Sequence, residues 1–96
     1  MNDHAVMVIS GYNIRAVITF CRWAAAHDVN YHIIAKCKED PIFYTDYKEH
    51  VAFTRDSPSL GPEQFRLWCE ALCRQYGYKR IIIIFCIHFF SPYLLF

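Results

Sequence analysis

The chain has 96 residues and a mass of 11.4 kDa, which is enough for one small domain with a single core and too little for a large multidomain enzyme. Hydrophobic residues make up 55% of it and aromatic residues 18%, a composition that excludes intrinsic disorder. Ten Lys and Arg against nine Asp and Glu give a formal charge of +1, too small for electrostatically driven binding of nucleic acid. We therefore expect a folded domain with no nucleic-acid partner.

The cysteines indicate a reducing environment rather than a disulfide framework or a metal site. There are five, an odd number, and the N-terminus lacks a basic stretch followed by an apolar signal core, which favours the cytoplasm. Cys69 and Cys73 are four residues apart and can share a helix face, but the chain has no CxxC pair to complete a zinc site. We expect the cysteines to fill the core as small hydrophobic residues.

The first part of the chain predicts a strand, a helix and a second strand. Residues 5–10 form a short, apolar run that suits a strand buried on both faces, and the run ends at Gly11. Residues 14–27 predict an amphipathic helix that Asn13 caps, and residues 31–36 predict the second strand. The buried helix face is predicted to consist of Ile14, Val17, Ile18, Cys21 and Ala25.

The second part predicts a loop, a strand, a helix and a final strand. Residues 37–46 are polar and indicate a loop, and residues 50–54 predict a short third strand. After a turn-rich stretch at 56–61, Pro62 at the first helical position predicts a helix that ends at Gly77. Four consecutive isoleucines, residues 81–84, predict a fourth strand covered on both faces. The buried face of the second helix is predicted to consist of Phe65, Trp68, Cys69, Leu72, Cys73 and Tyr76.

This order of elements predicts an α/β fold, a small three-layer, Rossmann-like parallel sheet of about four strands with flanking helices. Two right-handed crossovers give the expected strand order 3-2-1-4. Ligands bind at the carboxyl ends of the strands in open sheets of this kind. We therefore expect the functional edge at residues 10–13, 36–38 and 55–57 and after Ile84.

Known catalytic and cofactor motifs are missing from the sequence. A dinucleotide site requires G-x-G-x-x-G after the first strand, but residues 11–16 contain only Gly11. Neither the GxxxxGK[ST] loop nor the GxSxG elbow occurs. Cys86 and His88 follow the fourth strand without a third residue to support nucleophilic catalysis. We therefore assign no catalytic residue and no metal ligand.

Five segments together carry a family resemblance. They are VMVISG at 6–11, the helix start IRA at 14–16, YTDY at 44–47, HVAFT at 50–54 and GYKRIIII at 77–84. Their order and spacing resemble the N-terminal pre-ATP-grasp domain of carbamoyl-phosphate-synthase-like and related ATP-grasp ligases, over nearly the whole chain. The resemblance implies the substrate-side domain, or a fragment, of an ATP-dependent carboxylate ligase, without catalytic activity alone.

The resemblance also implies where substrate and cofactor bind. In that family ATP and magnesium are held mainly by the central and C-terminal domains, so no cofactor is expected in this chain, and the remaining ATP-grasp domains are its expected partners. The first domain lends substrate contacts from its strand ends, which here implies Gly11, Tyr12, Asn13 and Arg15. The alternative for Arg15 is an exposed helical charge that contributes only to solubility.

The end of the chain departs from the family. Residues 1–84 form the predicted domain, and residues 85–96 form an apolar tail that is best explained as a truncation or frameshift scar. Residues 81–96 contain no Asp, Glu, Lys or Arg, but these 16 residues are interrupted by His88 and Pro92. Because a bilayer span needs about 17–25 residues, a membrane anchor is not favoured. The exposed tail favours self-association, and the alternative function is a small α/β binding or interaction module that docks a partner or membrane through it.

Overall fold

The computed structural model describes residues 3–55 and 62–85, which form a four-stranded, all-parallel sheet with two helices. The strand order is β3-β2-β1-β4, which confirms both the predicted α/β fold and the predicted order. Two short 3₁₀ helices lie between β2 and β3, within or just after the predicted loop. The elements are β1 (His4–Ile9), α1 (Ile14–Ala26), β2 (Tyr31–Ala35), the 3₁₀ helices Pro41–Tyr44 and Lys48–His50, β3 (Val51–Thr54), α2 (Pro62–Tyr76) and β4 (Arg80–Phe85).

The pleat of β1 divides the core into two clusters, one on each face of the sheet. Val6 and Val8 belong to the cluster that contains α1, whereas Met7 and Ile9 belong to the cluster that contains α2. This alternation makes three layers, because each face of the sheet is covered by a different helix. The isoleucines of β4 divide in the same way: Ile82 and Ile84 join the α1 cluster, and Ile81 and Ile83 join the α2 cluster.

Helix α1 begins as predicted, and Val17 and Cys21 of its predicted face are buried, but the buried face is shifted around the helix. The side-chain oxygen of Asn13 accepts a hydrogen bond from the backbone N–H of Ala16 at 3.2 Å, which confirms the predicted cap. The prediction was wrong for Ala25, which is exposed. The helix is rotated so that Phe20, its largest buried residue, packs edge-on against Tyr31. The buried residues of α1 are Ala16, Val17, Phe20, Cys21 and Ala24.

Helix α2 has the predicted bounds and most of the predicted face. Trp68 and Leu72 are buried against the sheet, but Tyr76, in the last turn, is half exposed. The helix ends at Gly77, whose φ of +79° is readily adopted only by glycine and whose N–H donates to the carbonyl of Cys73. The described helices include none that is long and apolar enough to cross a bilayer. The predicted turn at 56–61, the Cys86 and His88 pair and residues 86–96 of the apolar tail lie outside the described residues.

Candidate functional site at the carboxyl edge of the sheet

A cavity of about 350 Å³ lies where β1 and β2 end. The structure therefore brings together two of the segments expected at this edge, residues 10–12 and residues 36–37. Pro41 joins the wall from the first 3₁₀ helix. The lining residues are Ser10, Gly11, Tyr12, Ile14, Lys36, Cys37, Glu39, Asp40 and Pro41.

Gly11 allows the chain to turn sharply as it leaves β1. Its φ is +107°, a backbone conformation that residues with a side chain rarely adopt. A Cβ atom at this position would lie 2.6 Å from Cβ of Lys36 and 2.7 Å from Nη2 of Arg55. Both backbone conformation and space thus require glycine here, and the turn packs directly against two cationic side chains.

Asp40 fixes the ends of β1 and β2 relative to each other. It is buried, and its Oδ1 accepts hydrogen bonds from the hydroxyl of Ser10 at 3.2 Å and from the N–H of Ile42 at 2.9 Å. Its Oδ2 accepts from the N–H of Lys36 at 2.8 Å. Three donors therefore share one carboxylate. Sequence reasoning missed this role, although an aspartate directly before Pro41 is a typical helix-capping signal.

Arg55 lies directly after β3 and is also buried, with 8% of its surface exposed. Its backbone N–H donates to the carbonyl of Ala35, and Nη2 donates to the carbonyl of Ser10 at 2.5 Å. The guanidinium carbon lies 5.5 Å from the ring centroid of Tyr12. Its Nε is buried and has no hydrogen-bond partner among the described residues. The sequence placed Arg55 at this edge but did not indicate that its charge would be buried.

The four residues predicted to bind substrate occupy different positions. Gly11 and Tyr12 line the cavity, and Tyr12 is 54% exposed. Asn13 directs its side-chain oxygen to the first turn of α1. Arg15 is exposed on α1 and is not part of the cavity wall. The structure thus brings two of the four to the cavity, and Lys36, Asp40 and the nearby Arg55 complete the polar groups of this edge.

The cavity wall offers charged groups and hydrogen-bond donors rather than a nucleophile paired with a general base. Lys36 is an exposed cation of the wall, Glu39 is an exposed anion, and Cys37 is a half-buried free thiol. Across residues 3–55 and 62–85, no group of three or more His, Cys, Asp or Glu side chains could hold a metal ion. Away from the cavity, burial and then the neighbouring Cys73 raise the pKa of the Cys69 thiol, so this thiol is less easily ionised.

The opposite, amino edge of the sheet is built from aromatic side chains. The Tyr31 and His50 rings stack with their centroids 4.0 Å apart, and burial raises the pKa of Tyr31 to about 12. Nε2 of His32 lies 2.9 Å from the hydroxyl of Tyr78, and burial, with a smaller effect of His50, lowers the pKa of His32. This edge has ring contacts where the carboxyl edge has buried charges.

Comparison with known proteins adds no identification. No family model, no curated protein and no solved structure matches this chain. Its function is therefore inferred from the fold and the cavity.

Proposed function

We propose that this chain is the N-terminal, substrate-side domain of an ATP-dependent carboxylate ligase of the ATP-grasp type, and that it acts in the cytoplasm. The observation that supports this proposal is the cavity at the carboxyl ends of β1 and β2, with Gly11 and Tyr12 in its wall. Parallel sheets of this class bind their ligands at this edge. The resemblance of the chain to pre-ATP-grasp domains implies substrate contacts at the same two residues.

The domain binds substrate in this proposal but does not carry out the reaction. The groups around its cavity are suited to hold a polar ligand, namely the ammonium of Lys36, the hydroxyl of Ser10 and the backbone of the Gly11 turn. ATP and magnesium belong to the central and C-terminal domains of the ligase. Those domains are the partners of this chain, and activity requires their assembly with it.

The most direct test is the DNA sequence downstream of the codon for Phe96, translated in all three frames. The proposal predicts a central ATP-grasp domain with a lysine-bearing strand, a glycine-rich flap and acidic metal ligands. If that domain appears in another frame, the apolar tail at residues 85–96 is a frameshift scar. If no frame encodes it, the ligase proposal is wrong, and docking of a partner or membrane through the tail takes its place.

A protein experiment tests the same proposal at the cavity. The chain is assembled with the central and C-terminal domains, and ATP consumption is measured as carboxylate is added. Lys36→Met is expected to raise the KM for the carboxylate, because the ammonium of Lys36 lines the cavity and attracts the anion. Lys48→Met is the matched control, since Lys48 is exposed and is not a lining residue. Equal KM values for the two variants would contradict a substrate role for this edge.

A further inference from the structure

We propose that Arg55 recognises the substrate carboxylate and that the ring of Tyr12 covers Arg55 when no substrate is bound. This inference rests on the proposed function for its substrate class, but the observations behind it are independent of any family resemblance. They are the burial of Arg55, its Nε, which has no hydrogen-bond partner among the described residues, and its contact with the turn that forms the cavity wall.

The charge of Arg55 is not neutralised within the described residues. Ion pairs there involve Asp3 with His4, and Arg66 with Glu63 and Glu70, and none includes Arg55. Asp40 is not ion-paired with Arg55, and its two oxygens already accept three hydrogen bonds. A buried cation without a paired anion is costly, and proteins retain such groups where a ligand supplies the missing charge.

The hydrogen bonds of Arg55 leave donors for a carboxylate. Nη2 carries two hydrogens, and the carbonyl of Ser10 accepts one of them. The hydrogen on Nε has no acceptor among the described residues. Two adjacent N–H groups of a guanidinium match the two oxygens of a carboxylate, which is the geometry that makes arginine selective for such groups.

The ring of Tyr12 lies against this guanidinium, and in this proposal an incoming carboxylate displaces the ring. Its ring lies 5.5 Å from the guanidinium carbon, a cation–π contact that compensates the charge only partly. Because Tyr12 is 54% exposed and lines the cavity, a carboxylate that enters there can exchange places with the ring. Lys36, in the same wall, supplies a second cation that attracts the anion.

The test uses the full chain and follows its melting temperature with rising sodium succinate, with sodium chloride holding ionic strength constant. We expect a saturable rise in the melting temperature. Arg55→Met should weaken the apparent succinate affinity at least about tenfold, since it removes the carboxylate fork. Tyr12→Ala should strengthen it about threefold to tenfold, since the ring no longer competes. Arg22→Met, on the exposed side of α1, should leave it unchanged.

A second variant covers the case in which Arg55→Met does not fold. Lys36→Met changes an exposed side chain and should weaken succinate binding severalfold while leaving the fold intact. The inference is overturned if succinate stabilises the wild-type chain no more than chloride does, or if either methionine variant binds it as well as wild type. Equal stabilisation by inorganic phosphate overturns the assignment to carboxylates. These outcomes are separate from the downstream DNA sequence, so a binding site without a ligase, and a ligase without this site, are distinguishable.

Discussion

At the carboxyl edge of the sheet, buried charged groups hold the chain in place, whereas at the amino edge aromatic rings and histidines do so. Asp40 and Arg55 are each more than nine-tenths buried, and both bond to Ser10 at the end of β1. At the amino edge, Tyr31 stacks on His50, and His32 contacts the hydroxyl of Tyr78. Ring contacts bury apolar area at little electrostatic cost, but buried charges carry a desolvation penalty.

The difference indicates which of the two edges binds a ligand. Buried ionic groups contribute little to net stability unless their partners are complete. At the carboxyl edge the partners of Asp40 are complete, but Nε of Arg55 lacks one within the described part of the chain. We therefore assign ligand binding to the carboxyl edge, in addition to the structural contacts of Asp40 there, and only a structural role to the amino edge. Four changes test this assignment, in order of expected effect.

Gly11→Ala should have the largest effect on stability. The added Cβ would meet Lys36 and Arg55 at less than 3.0 Å, and φ is +107°. Strain and overpacking together should lower the free energy of unfolding by about 3 kcal/mol in urea denaturation. Gly77→Ala is the control, because φ there is +79° but nothing lies within 4 Å, so only backbone strain of about 1 kcal/mol is expected. Equal losses would show that the Gly11 turn is not tightly packed.

Asp40→Asn should come next. The amide group has one oxygen where the carboxylate has two, so one of the donors from Ser10, Lys36 or Ile42 must lose its acceptor. We expect a loss of about 2 kcal/mol in the same assay. Glu39→Gln is the neighbouring control, and because Glu39 is exposed it should change stability by less than about 0.5 kcal/mol. If Asp40→Asn left the free energy of unfolding unchanged, the carboxylate would not hold the two strand ends together.

Tyr78→Phe tests the amino edge. It removes the hydroxyl that lies 2.9 Å from Nε2 of His32 and should cost about 1 kcal/mol, because the ring contacts remain. Succinate binding should be unchanged, since Tyr78 is not part of the cavity wall. A variant that lost succinate binding would contradict the division between the two edges.

The effect of pH on the free energy of unfolding should be the smallest of the four at neutral pH. Burial lowers the pKa of His32, so the unfolded chain, with the ordinary value of 6.5, binds a proton more readily than the folded chain. His32 therefore has no effect on stability well above pH 6.5, and it destabilises the fold as the pH falls below that value. His32→Gln should flatten this part of the profile, measured as the free energy of unfolding across about pH 5 to 8. A profile unchanged by His32→Gln would contradict the burial of this side chain.

Much of the fold could be predicted because local signals agreed with each other. The apolar run that ends at Gly11, the cap at Asn13 and the isoleucines of β4 all matched their observed elements. The buried face of α1 was harder to predict, because apolar residues lie on more than one face of that helix. The face that is buried includes the large side chain of Phe20. Ala25 was therefore placed wrongly.

The sequence predicted at which edge of the sheet the candidate site lies, but not how the side chains there interact. The carboxyl ends of neighbouring parallel strands lie at the same edge of a sheet. The predicted end of β1 therefore placed Gly11 and Tyr12 at this edge, where both line the cavity. The roles of Asp40 and Arg55 depend on residues 30 and 45 positions away, since each bonds to Ser10. No short sequence motif predicts hydrogen bonds between residues that are so far apart in the chain. Burial of a charged side chain is a property of the packed sheet, and only the structure shows it.

Ligand binding at the carboxyl edge can be tested by titrating the uniformly ¹⁵N-labelled full chain with sodium succinate and following the backbone amide signals. We expect saturable shifts at Gly11, Tyr12, Lys36 and Arg55 and unchanged signals at His32 and Tyr78. Shifts centred on the amino edge, or no saturable shift at the carboxyl edge, would contradict the assignment of ligand binding to the carboxyl edge.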